Sequence, residues 1–260
     1  MSAEAIDCLS RDEIEARLSA GAEARAALIR AGAEAGVAEA QAVYGQMLLD
    51  GGGAKRDAAE ALRWFRRAAA QQHLMALNMV GRCYELGWGT PVDKAKAADC
   101  YRVAAKRGLD WAMYNYATLL TLGEGVAEDK AAALRWFENA AASGNAKAIN
   151  FIGSFHEDGW VVARDLDRAA DCYRRAAEGG DFRGQFNHAR MLIGRGAMDL
   201  ALLWLRRSAA GGTERFRVQA AEWLVRRAEP ELRAAASLFS SLSCSDGSPP
   251  QAFRAGRTGA

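Results

Sequence analysis

The sequence predicts an all-α solenoid built from about five helix–turn–helix repeats of 36 residues. Three observations carry this. Small residues recur at one fixed period along most of the 260-residue chain. About a fifth of the chain is Ala, and only 4 residues are Pro, which favours helix over sheet. Between the recurring small residues, apolar positions fall at helical spacing.

The period is read from several columns at once. Ala40, Ala76, Ala112 and Ala148 lie 36 apart, with Gly184 next in phase. Gly45, Gly81, Ala117, Gly153 and Ala189 keep the same step, as do Gly51, Gly87, Gly123 and Gly159. Asp57, Asp93, Asp129 and Asp165 follow, then Ala61, Ala97, Ala133 and Ala169. Each unit reads as two helices. Ala112, Tyr116, Ala117 and Leu120 form one face of the first, and Gly123 is suited to the left-handed cap that ends it. Asp129 sits where an N-cap belongs, its carboxylate able to accept the unpaired first-turn N–H groups. Ala133, Trp136, Phe137, Ala140 and Ala141 line the second helix, and Gly144 stops it. One such pair cannot bury both faces, so neighbours must stack. The expected pairs are 39–50/58–71, 75–86/94–107, 111–122/130–143, 147–158/166–179 and 183–194/199–211.

The ends depart from the period. Residues 1–37 read as N-terminal capping helices and a half repeat, 38–213 as the solenoid, 214–242 as C-terminal capping helices, and 243–260 as a disordered tail rich in Ser, Gly and Pro. Repeat five is four residues short, its loop cut to GRGAMD. A finer step of 72 residues also appears. AADCYR occurs at 97–102 and again at 169–174, so the second helices alternate Trp64, Cys100, Trp136, Cys172 and Trp204. Duplication of a two-repeat unit explains this. It sets large against small side chains along the stack, with Trp136 expected to be buried between repeats.

The run Ala112-x-x-x-Tyr116-Ala117-x-x-Leu120-x-x-Gly123-x-Gly125, then Asp129, then Ala133-x-x-Trp136-Phe137-x-x-Ala140-Ala141-x-x-Gly144, resembles the Sel1-like repeat, a relative of the tetratricopeptide repeat with a longer loop. The resemblance covers about residues 24–212. It implies a right-handed α/α superhelix of antiparallel helix pairs with the first helices on the concave side. It also implies an adaptor or scaffold role. The paired cysteines of disulfide-stapled relatives do not recur in each repeat, so that chemistry is not carried over.

Chemistry is sparse. Gly51-Gly52-Gly53-Ala54-Lys55 follows a helix rather than a strand and lacks the GK[ST] ending of a phosphate loop. His73, His156 and His188 form no metal-ligand spacing and read as structural. The five cysteines, 8, 83, 100, 172 and 244, are expected to be reduced thiols. No catalytic residue, metal site or cofactor is predicted. A net charge of +2 argues against nucleic acid as partner, and no apolar stretch of membrane-spanning length occurs. The N-terminus carries no signal-peptide pattern, so a cytoplasmic location is expected.

A protein or peptide partner is left. Residues two and three after the leading small residue read Asn78-Met79, Tyr114-Asn115, Asn150-Phe151 and Phe186-Asn187, with Arg82 and Arg190 a turn further on. Each repeat offers one carboxamide and one bulky apolar group. A carboxamide can read a peptide backbone as donor and acceptor. The candidate peptide-binding residues are Asn78, Arg82, Tyr114, Asn115, Asn150, Phe151, Phe186, Asn187 and Arg190. The same asparagines can instead tie neighbouring helices together. A second interface candidate is the C-terminal third: residues 182–260 hold 12 Arg and Lys against 6 Asp and Glu. The chain would then be an accessory or regulatory subunit docking through that basic end.

Overall fold

A computed structural model describes residues 11–240. The expected disordered tail, Cys8 and Cys244 lie outside these residues. Among the described residues every regular element is a helix. Before the repeats come α1 (Arg11–Ser19) and α2 (Ala22–Glu34). The repeats follow as α3/α4 (Ala38–Asp50, Ala58–Ala70), α5/α6 (Leu74–Leu86, Lys94–Lys106), α7/α8 (Asp110–Leu122, Lys130–Ala142), α9/α10 (Ala146–Asp158, Leu166–Glu178) and α11/α12 (Phe182–Gly194, Met198–Gly211). After them stand α13 (Glu214–Val225) and α14 (Pro230–Ser240). Each repeat helix lies within one residue of the boundary the period predicts.

Two compact units are formed. One runs to Ala76 and includes Trp88–Thr90; the other holds Leu77–Gly87 and continues from Pro91. In the first, α2 packs on α3 and α3 on α4. In the second, α6 through α12 pack each on the next, with α9 also against α11, and α14 closes on α12 and α13.

The second helices start where the aspartates stand. Asp57, Asp93, Asp129 and Asp165 accept from the backbone N–H of Glu60, Lys96, Ala132 and Arg168 at 2.8–3.0 Å. In repeat five the shortened loop puts Ala197 at this position, with no side-chain cap. The in-phase alanines do what close approach requires: Ala61, Ala97, Ala133, Ala169 and Ala201 are fully buried, as are Ala76, Ala112 and Ala148.

The core column is one residue beyond the tryptophans. Phe65, Tyr101, Phe137, Tyr173 and Leu205 have no exposed surface. Trp136, expected to be buried, is only half-buried and lies edge-on to Tyr116 at 5.9 Å, because Phe137 takes the inward direction. Each inward ring sits on a small residue of its own repeat's first helix. A Cβ built on Gly45, Gly81 or Gly153 would meet Phe65, Tyr101 or Tyr173 at 2.8, 2.6 and 2.6 Å. Glycine in these helix interiors is a notch for a ring.

The loops between paired helices carry a strained exception. Gly53, Gly89 and Gly125 have φ of 86°, 68° and 69°, and the in-phase residue of repeat four is Val161, held at φ 53° and exposed. A β-branched residue is disfavoured in this left-handed region. Val161→Gly is therefore expected to raise the unfolding free energy by about 1 kcal/mol, measured by urea denaturation. A loss of stability would show that Val161 contributes more by contact than its backbone costs.

Candidate functional site

All nine residues of the candidate row lie in the second unit, on α5, α7, α9 and α11. Their side chains divide into two sets. Asn78 and Asn150 are buried, and Phe186 is buried as well. Asn115, Asn187, Tyr114, Phe151, Arg82 and Arg190 are half-buried. Of the candidate peptide-binding residues, Asn78, Asn150 and Phe186 are buried and do not line an open face. The residue two after the leading small residue turns towards the first helix of the next repeat. The residue three after it, 100° further round, reaches back to meet it.

This produces paired contacts between successive first helices, like with like. Nδ2 of Asn115 donates to Oδ1 of Asn78 at 2.9 Å, and Nδ2 of Asn187 donates to Oδ1 of Asn150 at 2.9 Å. Between the two amide pairs lies an aromatic pair, Tyr114 and Phe151, edge-on at 5.7 Å. Phe151 also stacks on the buried Phe137 at 4.8 Å. Burial pushes the Tyr114 phenol up to about 12. Phe186 has a different role: it packs edge-on against Phe216, Trp223 and Phe239 in the terminal core.

Arg190 is engaged within the unit. It binds Glu157 at 2.6 Å and Oδ1 of Asn187 at 3.0 Å. Glu157 accepts from Tyr173 Oη at 2.6 Å as well. Burial pushes the Glu157 carboxyl up, but the Tyr173 and Arg190 hydrogen bonds with the Arg190 and Arg164 charges hold it below its ordinary value. Tyr101 and Glu85 repeat the tyrosine–glutamate contact 72 residues earlier, at 2.6 Å.

Three residues on this face were missed in the sequence: Trp111, Lys147 and Arg183, the residues just before the leading small residues. Lys147 Nζ lies over the rings of Trp111 and Tyr114 at 5.1 and 6.0 Å from their centroids. Arg183 is exposed and lies over Phe182 and Phe216 at 4.8 and 5.8 Å. Positions 111, 147 and 183 keep the 36-residue step, but Trp, Lys and Arg share no chemistry that marks the column.

Two of the histidines make packing or hydrogen-bond contacts within the fold. His73 Nδ1 accepts from the N–H of Ala76, and its Nε2 faces Glu39 at 2.8 Å. His188 lies edge-on to Trp204, and burial with the nearby Arg174 holds its pKa down. Cys83 and Cys172 are buried thiols, and burial pushes that of Cys172 up. Among the described residues no cluster of His, Cys, Asp and Glu is arranged to hold a metal, and no helix is long and apolar enough to cross a membrane.

Stacked antiparallel helix pairs with a shared first-helix face define a helical-repeat protein. The Sel1 repeat matches residues 38–73, 74–109, 112–145, 146–181 and 184–213, and the chain belongs to this family. Among solved structures it is similar to a Sel1 repeat protein from Oxalobacter formigenes, at 25% identity and a TM-score of 0.72 over 88% of this chain and 97% of that one. It is similar to the protective antigen c5321 of uropathogenic Escherichia coli, at 24% identity and a TM-score of 0.64, over 92% of this chain and 53% of the other. An immunity protein of Pseudomonas aeruginosa shares the fold at 17% identity and a TM-score of 0.56, over 78% of this chain and 80% of its own. Among curated proteins none matches the chain. Sel1-repeat proteins are generally protein–protein interaction scaffolds and typically non-catalytic.

The amide pairs generate a stability prediction. Asn78→Ala leaves the Asn115 carboxamide without its buried acceptor and should lower the unfolding free energy by about 1–3 kcal/mol. The double change Asn78→Leu/Asn115→Leu, which removes both polar partners, should cost less than the single one. A single variant as stable as the parent would show that the amide pair holds nothing together.

Proposed function

We propose that the chain is a non-enzymatic scaffold that binds an extended segment of a partner protein along the first-helix face of repeats two to five. The observation that carries this reading is the half-buried row of Asn115, Asn187, Tyr114 and Phe151, flanked by Arg82 and Arg190. Aromatic surface beside carboxamides is what a peptide backbone and its side chains need. Asn78 and Asn150 support this face from beneath. Because the amide and aromatic pairs already fix their neighbours, the face is pre-organised and little ordering cost is left for binding.

A second reading has its own observation. A cavity of about 510 Å³ lies at the C-terminal end of the same unit, lined by Arg190, Ile193, Trp223, Arg226 and Arg227 among others. Arg227 stacks on Trp223 at 3.8 Å. An accessory subunit docking through its basic end would use this surface.

One experiment separates the two. Thr118 occupies the position that the long side chains of Arg82 and Arg190 hold in other repeats, so Thr118→Gln adds length to the face without charge in a form the repeat accommodates. The partner captured from cells by the parent chain, quantified by mass spectrometry, should be lost with Thr118→Gln while stability stays within about 0.5 kcal/mol. It should be retained with Arg226→Glu/Arg227→Glu. The opposite pattern would transfer the interface to the basic end.

A further inference from the structure

The first-helix face carries cations for which the protein itself provides no counter-charge at contact distance. Lys147 is half-buried, yet its ammonium rests on two aromatic rings, and among the described residues no carboxylate lies within 4.0 Å of it. Arg183, one repeat on at the same position, likewise contacts only rings. The nearest carboxylates are held by other groups or stand out of contact with the two bases. Glu157 is closed by Arg190 and Tyr173. Glu85 accepts from Tyr101. Asp181 is buried and caps α11 with Oδ2 through the N–H of Gly184 at 2.8 Å; its Oδ1 has no hydrogen-bond partner among the described residues, and its charge acts on Lys147 without contact. Burial holds the Lys147 pKa down; Asp181 opposes this, while Arg183 and Arg82 add to it by repulsion. A partly desolvated cation with no carboxylate in contact is a place where an incoming carboxylate gains more than it would in water.

We propose that the segment bound on this face is acidic, and that two of its carboxylates are seated by Lys147, above the Trp111 and Tyr114 rings, and by Arg183, above Phe182 and Phe216. The inference rests on the groove reading above and adds the chemistry of the occupant. Spacing follows from the stack. First helices in contact lie about 8–10 Å apart. An extended polyproline-type chain advances about 3.1 Å per residue and returns to the same face every third residue. Acidic residues at i and i+3 therefore match Lys147 on α9 and Arg183 on α11. The aromatic floor takes the apolar residues between them, and the cation–ring contacts hold the two bases in place for the carboxylates.

The test uses defined probes with the full chain. A fluorescent, end-capped peptide of four Glu-Pro-Leu triplets is compared by anisotropy with its Gln-Pro-Leu counterpart. The Glu peptide should bind at least about tenfold more tightly at low salt, a gap of about 1.4 kcal/mol, and the gap should shrink as salt screens the charges. Lys147→Gln/Arg183→Gln should abolish the preference. Lys147→Met/Arg183→Gln, which keeps an apolar stem over the rings, should do the same with melting unchanged. Arg206→Gln/Arg207→Gln, on the second helix of repeat five, should leave it intact. Equal binding of the Gln peptide overturns the acidic-segment inference but leaves the groove reading, which the uncharged Thr118→Gln tests independently. Binding of neither peptide, or equal loss in the Arg206/Arg207 variant, also overturns it.

Discussion

The seating of a second-helix ring in a first-helix glycine notch is the contact on which the rest of the structure depends. Phe65, Tyr101 and Tyr173 are fully buried against Gly45, Gly81 and Gly153, at separations that leave no room for a methyl group. This fixes how closely the two helices of a repeat approach. The ring also brings its neighbours with it: Tyr173 reaches Glu157 on α9, and Glu157 holds Arg190 on α11. In repeat three the ring is Phe137, without a hydroxyl, and its partner Phe151 is part of the candidate face. Packing inside a repeat and positioning of the face between repeats are thus one network.

The face owes its order to pairing of like groups. A polar pair set against an aromatic one would leave a buried carboxamide unsatisfied, at about 1–3 kcal/mol. The sequence amide, aromatic, amide along α5, α7, α9 and α11 therefore penalises any shift of one helix against the next. This is the same 72-residue alternation that the second helices show. Duplication supplied it, and the hydrogen bonds give it a physical use.

Much of this was legible in the sequence. The 36-residue columns of Ala, Gly and Asp gave every repeat helix to within a residue, because glycine notches, N-caps and close contacts tolerate few residue types. Which of two adjacent residues faces inward was less legible. Trp136 was read as core and Phe137 is the core residue. Asn78 and Asn150 were read as lining and are buried. A rotation of 100° separates such neighbours, and a repeat pattern constrains the period more tightly than the phase. Lys147 and Arg183 were missed for a related reason: their meaning lies in the rings beneath them and in the missing counter-charge, which only the packed helices reveal.

The most direct test of the ring-in-notch account is the unfolding free energy of Gly153→Ala. Helix propensity alone favours Ala over Gly by about 1 kcal/mol. The account predicts the opposite sign, a loss of about 1–3 kcal/mol, because the added methyl meets a Tyr173 ring that Glu157 and Ser154 hold by its hydroxyl. Equal or greater stability in the variant would contradict it.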